Sequence, residues 1–396
     1  MILKLTNQLK TYDWGDIDSI ARFLGQRPDG SPIAELWMGA HPAGSSLVSA
    51  GGDAGTSLLD LIASHREETL GRAAAAGATE LPFLFKLLAA GKALSIQVHP
   101  SREQAKRGYE RENAQGIALD APERTYKDRN HKPELMLAAG PFWAMSGFRD
   151  PAESAAVLAL TGIRASDTRG ILSEVLALTA TDLAAAVSRI DLPDEDPEDL
   201  YRAQGGVTDA VRFAWVHELQ RQYGLDPGIL APLFLNVVRL DAGEALYQGA
   251  GLLHAYLRGF GFEVMANCDN VLRAGLTPKF MNVAELLEIV DFGSGPPARV
   301  TPVAHASDVL EYPCPVPDFR LLQLDLRAQP TDLSTGGCPA IVLCTRGSIQ
   351  VGTDALKLSQ GESAFVGGGN ARIKLASSNE TQPAQALVAS CAVESA

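Results

Sequence analysis

Gln97 and His99 stand two residues apart in the strand-like run SIQVHPS, residues 95–101. Side chains alternate along a strand, so Ser95, Gln97 and His99 form one polar row while Ile96 and Val98 face the other way, into a core. Such a row faces either water or a cavity in which it can hold something. Far along the chain, His254 lies in a second strand-like segment beside apolar residues. Most of the other histidines read differently. His65 and His217 sit in helical stretches among charged residues, His305 in a linker-like region, and His41 before a proline in a turn, where a hydrogen bond is the expected role.

The elements that must position these groups change character along the chain. Residues 1–150 are rich in Gly, Pro and short apolar runs, which predict short strands and turns with a helix near 56–65. Residues 151–230 are dominated by Ala and Leu at helical spacing, with Ser and Thr as N-caps and an acidic, proline-broken loop at 192–199. Strand character returns at 231, a helix is expected at 282–290, and strands and turns follow to the end. The expected class is mainly β, with a small helical bundle inserted into a β domain.

There is an internal echo. GEALYQGAG (243–251) and GESAFVGGG (361–369) share G-E-x-x-x-x-G-x-G, each after a strand-like run. Glycines at those points suit tight turns between strands of a barrel, and two related barrels are expected. Counting on from the first copy reaches His254; the same offset from the second reaches Arg372, and no histidine follows His305. If His254 does chemistry, the second copy has lost it.

At 396 residues the chain is too long for one ordinary core. Its net charge of −13 repels nucleic acid and anionic membranes. No uncharged apolar run is long enough to span a bilayer, and the N-terminal residues lack an apolar core of signal-peptide type. The five cysteines form no CxxC pair, so a reducing cytoplasm is the expected setting. No coiled coil or exposed apolar helix is evident, and a monomer is expected.

The stretch from Gly243 to His254 resembles the second cupin motif, G-x5-P-x-G-x2-H, with Gly249 in place of the proline. Gln97-Val98-His99 fits the place of the H-x-H of the first motif, with Gln replacing one His, and Glu134 in NHKPELMLA fits its carboxylate. The segments LKTYDWG (9–15), AELWMGAHP (34–42), LPFLFKLL (81–88), LSIQVHPS (94–101), NHKPEL (130–135), HAYLRG (254–259) and EVMANCDNVLRAGLTPKF (263–280) together resemble the type I mannose-6-phosphate isomerases. One departure is Leu253, where a proline is expected before the histidine.

The resemblance implies two cupin-type jelly-roll barrels with an inserted α-helical domain. Residues 1–150 and 231–300 would form a split catalytic barrel, 151–230 the insertion, and 301–396 a metal-free cupin-like barrel. It further implies one zinc ion per chain, held by Gln97, His99, Glu134 and His254. Imidazole nitrogen and carboxylate oxygen suit zinc, and a catalytic site keeps a position open for water or substrate. With one carboxylate and neutral partners the centre keeps net positive charge, which favours polarising substrate oxygens.

The reaction so implied is interconversion of mannose 6-phosphate and fructose 6-phosphate through a cis-enediol, with metal-assisted hydride transfer as the competitor. Arg273 and Lys279 are the main candidates for the phosphate, since Arg offers a fork of donors and Lys a point charge. Lys86 and Ser95 are further substrate-binding candidates. Lys132 and Asp269 are expected near the transferred proton, with Glu263 and His131 as alternates. Arg273 is alternatively the group that stabilises the enediolate. Two other functions compete: a sugar-phosphate-binding cupin regulator without turnover, and an iron-dependent cupin oxygenase. The latter would normally be richer in histidine and would not call for a cationic cluster.

Overall fold

The computed structural model describes residues 1–392 apart from 355 and 380. The fold is mainly β. Eleven strands form one antiparallel sheet system, and the 13-residue strand His254–Ala266 joins its two halves. Its first residues pair with Gln97–Val98 and Phe142–Phe148. From Gly259 on it pairs with Phe83–Ala90, and from Gly261 also with Glu134–Ala138. The bend falls where the register slips between Tyr256 and Arg258. Gly259 sits there at φ +134°, and a Cβ on it would come within 2.7 Å of Phe142 Cα. Only glycine permits both the conformation and the close approach.

Alternation then sorts the side chains. Leu88, Ala90, Met136 and Ala138 pack inward with Phe142, Ala144, Val238 and Tyr256. Phe83, Phe85, Leu87, Leu135 and Leu137 face outward, into an apolar layer shared with Leu321, Ile341, Leu343, Phe365 and Leu387 of the C-terminal strands. Ile96, Val98, Trp143 and Met145 pack on the helices that run from Pro151–Leu158 to Asp209–Tyr223. Asp150, Asp167, Thr179, Asp196 and Thr208 each accept a first-turn N–H at the start of one of these helices, satisfying donors that no helical carbonyl can reach.

Six C-terminal strands belong to an eight-stranded sheet and four more form a second sheet, around Leu322, Leu324, Val342, Ile349, Leu358 and Ile373. The N-terminal strand Ile2–Thr6 joins them. It lies between Ser363–Val366 and Leu47–Val48, and so belongs to the sheet of the C-terminal strands rather than to the one that carries His254. The echo has a structural counterpart. Gly243 and Gly361 have φ of +86° and +84°, each just before a strand, Ala245–Gln248 and Ser363–Val366. His254 and Arg372 each open the strand that follows.

The first 150 residues carry more helix than expected. Besides Leu58–Ser64, helices span Ser19–Phe23, Arg66–Leu70, Arg72–Ala75 and Arg102–Ala114. The last opens on a capping box in which Ser101 and Gln104 bond each other's backbone N–H groups. His305 is not in a linker but in the strand Val303–Ala306, hydrogen-bonded to Glu311.

Candidate active site

His99, Glu134 and His254 converge, with one donor atom from each lying within 4.8 Å of the others. Glu134 bridges the histidines: its Oε1 is 3.4 Å from His99 Nε2 and its Oε2 is 3.3 Å from His254 Nε2. Three separate strands deliver these groups. Glu134 opens Glu134–Ala138, His254 opens the long strand, and His99 follows Gln97–Val98. Each imidazole donates its Nδ1 proton to a main-chain carbonyl, His99 to Asn270 at 2.8 Å and His254 to Leu252 at 2.9 Å. That tautomer turns the Nε2 lone pairs toward one point, as outer partners of metal-bound histidines do. His99 Nε2 is buried and has no hydrogen-bond partner among the described residues. Burial, helped by Lys132, pushes the His99 imidazole down to about 4 against the pull of Glu134. A neutral imidazole with an unsatisfied buried lone pair fits a zinc ligand. Burial would raise the Glu134 pKa, but Lys132, His99 and His254 outweigh it and hold the carboxyl well below its usual range.

Gln97 lies directly across from His254 in the strand pairing. Its amide nitrogen donates to Ser95 Oγ at 3.1 Å, which leaves the amide oxygen as the available donor. Ser95, Gln97, Lys132, Glu134, His254 and Glu263 line one cavity of about 80 Å³. Lys132 Nζ sits 2.8 Å from Glu134 Oε1. Arg273 stands opposite Gln97 in the next strand pair, on the same face. It makes no ion pair among the described residues, and burial alone lowers its pKa. Lys279 is likewise lowered, by burial and then by the nearby charges of Arg273 and Lys127. Neighbouring cations that make no ion pair among the described residues, with Asp13 acting on Lys279 only as a weaker influence, suit an anion that is not part of the chain.

The remaining expected residues are engaged differently. Lys86 lines the cavity, but its ammonium lies 3.1 Å from Glu263 and 3.7 Å from Glu35. Those two carboxylates outweigh burial and raise its pKa, so a phosphate would meet a cation already compensated. Glu263 is raised by burial despite Lys86 and accepts a hydrogen bond from Tyr256 at 2.9 Å. Asp269 turns its carboxylate to His41, 3.4 Å away, in a separate cleft of about 670 Å³. His131 is bound through Nε2 to Asp318 and Arg102, at 2.9 and 2.8 Å. Asp269 and His131 do not line the cavity that Lys132 and Glu263 line.

Sequence reasoning missed Glu35, Tyr256 and Asn270. Tyr256 is two residues from His254 and had the same-face spacing that singled out Gln97 and His99. Glu35 lies in ELWM, whose Trp37 stands opposite Lys86, and its carboxylate accepts the Trp37 indole N–H at 2.6 Å. Asn270 is fully buried; its side chain ties residues 127–130 while its carbonyl orients His99. Nothing in a single chain marks an asparagine for that work.

Residues 2–151 match the family model of the phosphomannose isomerase type I catalytic domain. The chain is 40% identical over 371 residues to the mannose-6-phosphate isomerase of Escherichia coli (strain K12), an alignment covering 92% of this chain and 94% of that one. It is 30% identical over 405 residues to the Bos taurus mannose-6-phosphate isomerase, covering 92% and 93%. Among solved structures, Salmonella typhimurium mannose 6-phosphate isomerase bound to its substrate fructose 6-phosphate and to zinc superposes with a TM-score of 0.86 at 34% identity, covering 99% of this chain and all of that one.

Proposed function

The chain belongs to the type I mannose-6-phosphate isomerase family, and from that premise we infer a zinc-dependent aldose–ketose isomerase that interconverts mannose 6-phosphate and fructose 6-phosphate. The observation that carries this reading is the His99–Glu134–His254 convergence around the unpartnered His99 Nε2. Zinc, when bound, supplies positive charge that polarises sugar oxygens. Gln97 is proposed to complete the donor set through its amide oxygen.

The remaining roles are proposals about this chain's own groups. Arg273, with Lys279, takes the phosphate, supported by their lack of carboxylate partners and by Arg273 facing the same way as Gln97. Lys132, which lines the cavity with its nitrogen 2.8 Å from Glu134, would as the neutral amine take the proton from one of C1 and C2 and return it to the other through a cis-enediol. Glu263, kept partly toward its neutral form by burial, is the acid–base partner for ring opening. Lys86 is better suited to a sugar hydroxyl than to the phosphate, because Glu35 and Glu263 share its charge. Asp269 serves from the neighbouring cleft through His41, and His131 from behind that cleft through Asp318, which lines it.

The catalytic barrel is proposed to comprise residues 1–150 and 231–300, with Ile2–Thr6 lent to the C-terminal barrel, and residues 151–230 to be the insertion. A monomer in a reducing cytoplasm fits the five free thiols; sedimentation of the zinc-loaded chain tests the oligomeric state. The function itself is tested by incubating that chain with mannose 6-phosphate. Appearance of fructose 6-phosphate is expected. Binding without turnover would favour the regulator, and oxygen uptake the oxygenase.

A further inference from the structure

Two cysteines that the isomerase chemistry leaves unused meet at one end of the C-terminal sheet. The strands Ala340–Arg346 and Ala384–Ser390 pair with Ala340 opposite Ser390. Cys338 lies two residues before the first strand and Cys391 one residue after the second, so both flank the same end of the ladder. Both belong to the same buried cluster of side chains. Both are largely buried, yet both line one cavity of about 250 Å³ with Arg72, Pro317 and Asp318. Two neighbouring thiols that line one cavity beside a guanidinium are placed to react with a small oxidant.

We propose that Cys338 and Cys391 are a redox site that hydrogen peroxide closes into a disulfide and a thiol reductant reopens, and that closure acts on the active site through Asp318. The Cys338 thiolate attacks the peroxide, breaking its O–O bond to give a sulfenic acid and, after protonation, water. The Cys391 sulfur then displaces the sulfenic hydroxyl as a second water. Two thiols lose two electrons, and one peroxide gains them.

The environments assign the order. Cys391 beside it, with the charges of Arg72 and Arg320, outweighs burial and lowers the Cys338 thiol, while the Cys391 thiol is raised. Burial pushes Cys314 up to about 12 and Cys344 to about 11, and raises Cys268 too. Only the paired cysteine is therefore a ready nucleophile. The link to the active site is short. Ala392 N–H donates to the Pro317 carbonyl at 3.2 Å. The next residue, Asp318, holds His131 and Arg102, and His131 stands three residues before Glu134. A bond that draws Cys391 toward Cys338 pulls on that carbonyl and on the Asp318–His131 contact.

The test treats the zinc-loaded full chain with hydrogen peroxide, maps disulfides by peptide mass spectrometry and measures isomerase turnover. Its outcome is separable from the isomerase assignment, because the cross-link is read by mass whether or not the chain turns over sugar phosphate. Expected is a Cys338–Cys391 cross-link, a fall in turnover of about 3-fold or more, and recovery of both with dithiothreitol. C391S should keep basal turnover and lose both responses, while C268S keeps them. No proposed zinc donor is a cysteine, so peroxide has no zinc thiolate to attack. A cross-link elsewhere, or over-oxidation without one, would overturn the site; a cross-link with unchanged turnover would overturn its connection to Asp318.

Discussion

Arg273 is the side chain on which substrate recognition most depends in this account. It shares a face with Gln97, is half-buried, and makes no ion pair among the described residues. Arg273→Ala should lower kcat/KM about 10- to 100-fold, as expected for charged hydrogen bonds of about 1.5–3 kcal/mol. Its urea midpoint should stay unchanged, since no partner charge is orphaned. Kinetics near those of the parent would remove Arg273 from the site. The opposite holds at Lys86. Lys86→Ala leaves Glu35 and Glu263 buried without their cation and should destabilise the zinc-loaded protein by about 3–5 kcal/mol in urea unfolding; a change within error would show that these carboxylates need no cation. The contrast marks what was legible at this scale. Gln97 and His99 announced themselves by alternation, and the charge of Lys86 was visible. Its neutralisation was not, because Glu35 and Glu263 lie far from it in sequence and only strand order brings them together.

At the scale of elements, the helical block is fastened to the barrel by a polar bolt. Glu198, in the first turn of Pro197–Gln204, accepts from Arg239 and from the Trp143 indole N–H. Burial opposes ionisation, but these donors prevail and hold the carboxyl below its ordinary 4.5. A depressed folded-state pKa contributes stability that is fully present above the ordinary value and is lost as pH falls through the folded one. Glu198→Gln should therefore be less stable than the parent at pH 7, with the gap closing below pH 4.5 in chemical unfolding; a gap constant with pH would show that the charge does not matter. The second barrel gives a different expectation. Arg372, the positional counterpart of His254, is exposed and paired with Asp332, so Arg372→Ala should leave turnover unchanged, and a large loss in the coupled assay would place it in the catalytic machinery. The Ala- and Leu-rich helices of 151–230 were legible from apolar spacing. Arg102–Ala114 was not, because its residues are mostly charged and only Ser101 and Gln104 mark its start.

Over the whole molecule, the two β units are not independent beads. The strand Ile2–Thr6 belongs to the C-terminal sheet, and one apolar layer contains Phe85 and Leu137 from one unit and Ile341 and Phe365 from the other. A chain ending at residue 300 would expose that layer and lose the partner of its first strand. It should show no cooperative thermal transition, whereas a sharp one would show that the catalytic part folds alone. The echo between GEALYQGAG and GESAFVGGG revealed the repetition of β units, but long-range pairing of the first strand with Ser363–Val366 leaves no local signature. The central claim concerns a point where three distant segments meet: His99, Glu134 and His254 hold a catalytic ion. Its most direct measurement is isomerase activity on mannose 6-phosphate across chelation and zinc titration. The stripped chain is expected to be inactive, and activity is expected to return in proportion to zinc, saturating at one ion per chain. Full activity in the chain shown by metal analysis to be stripped would contradict it.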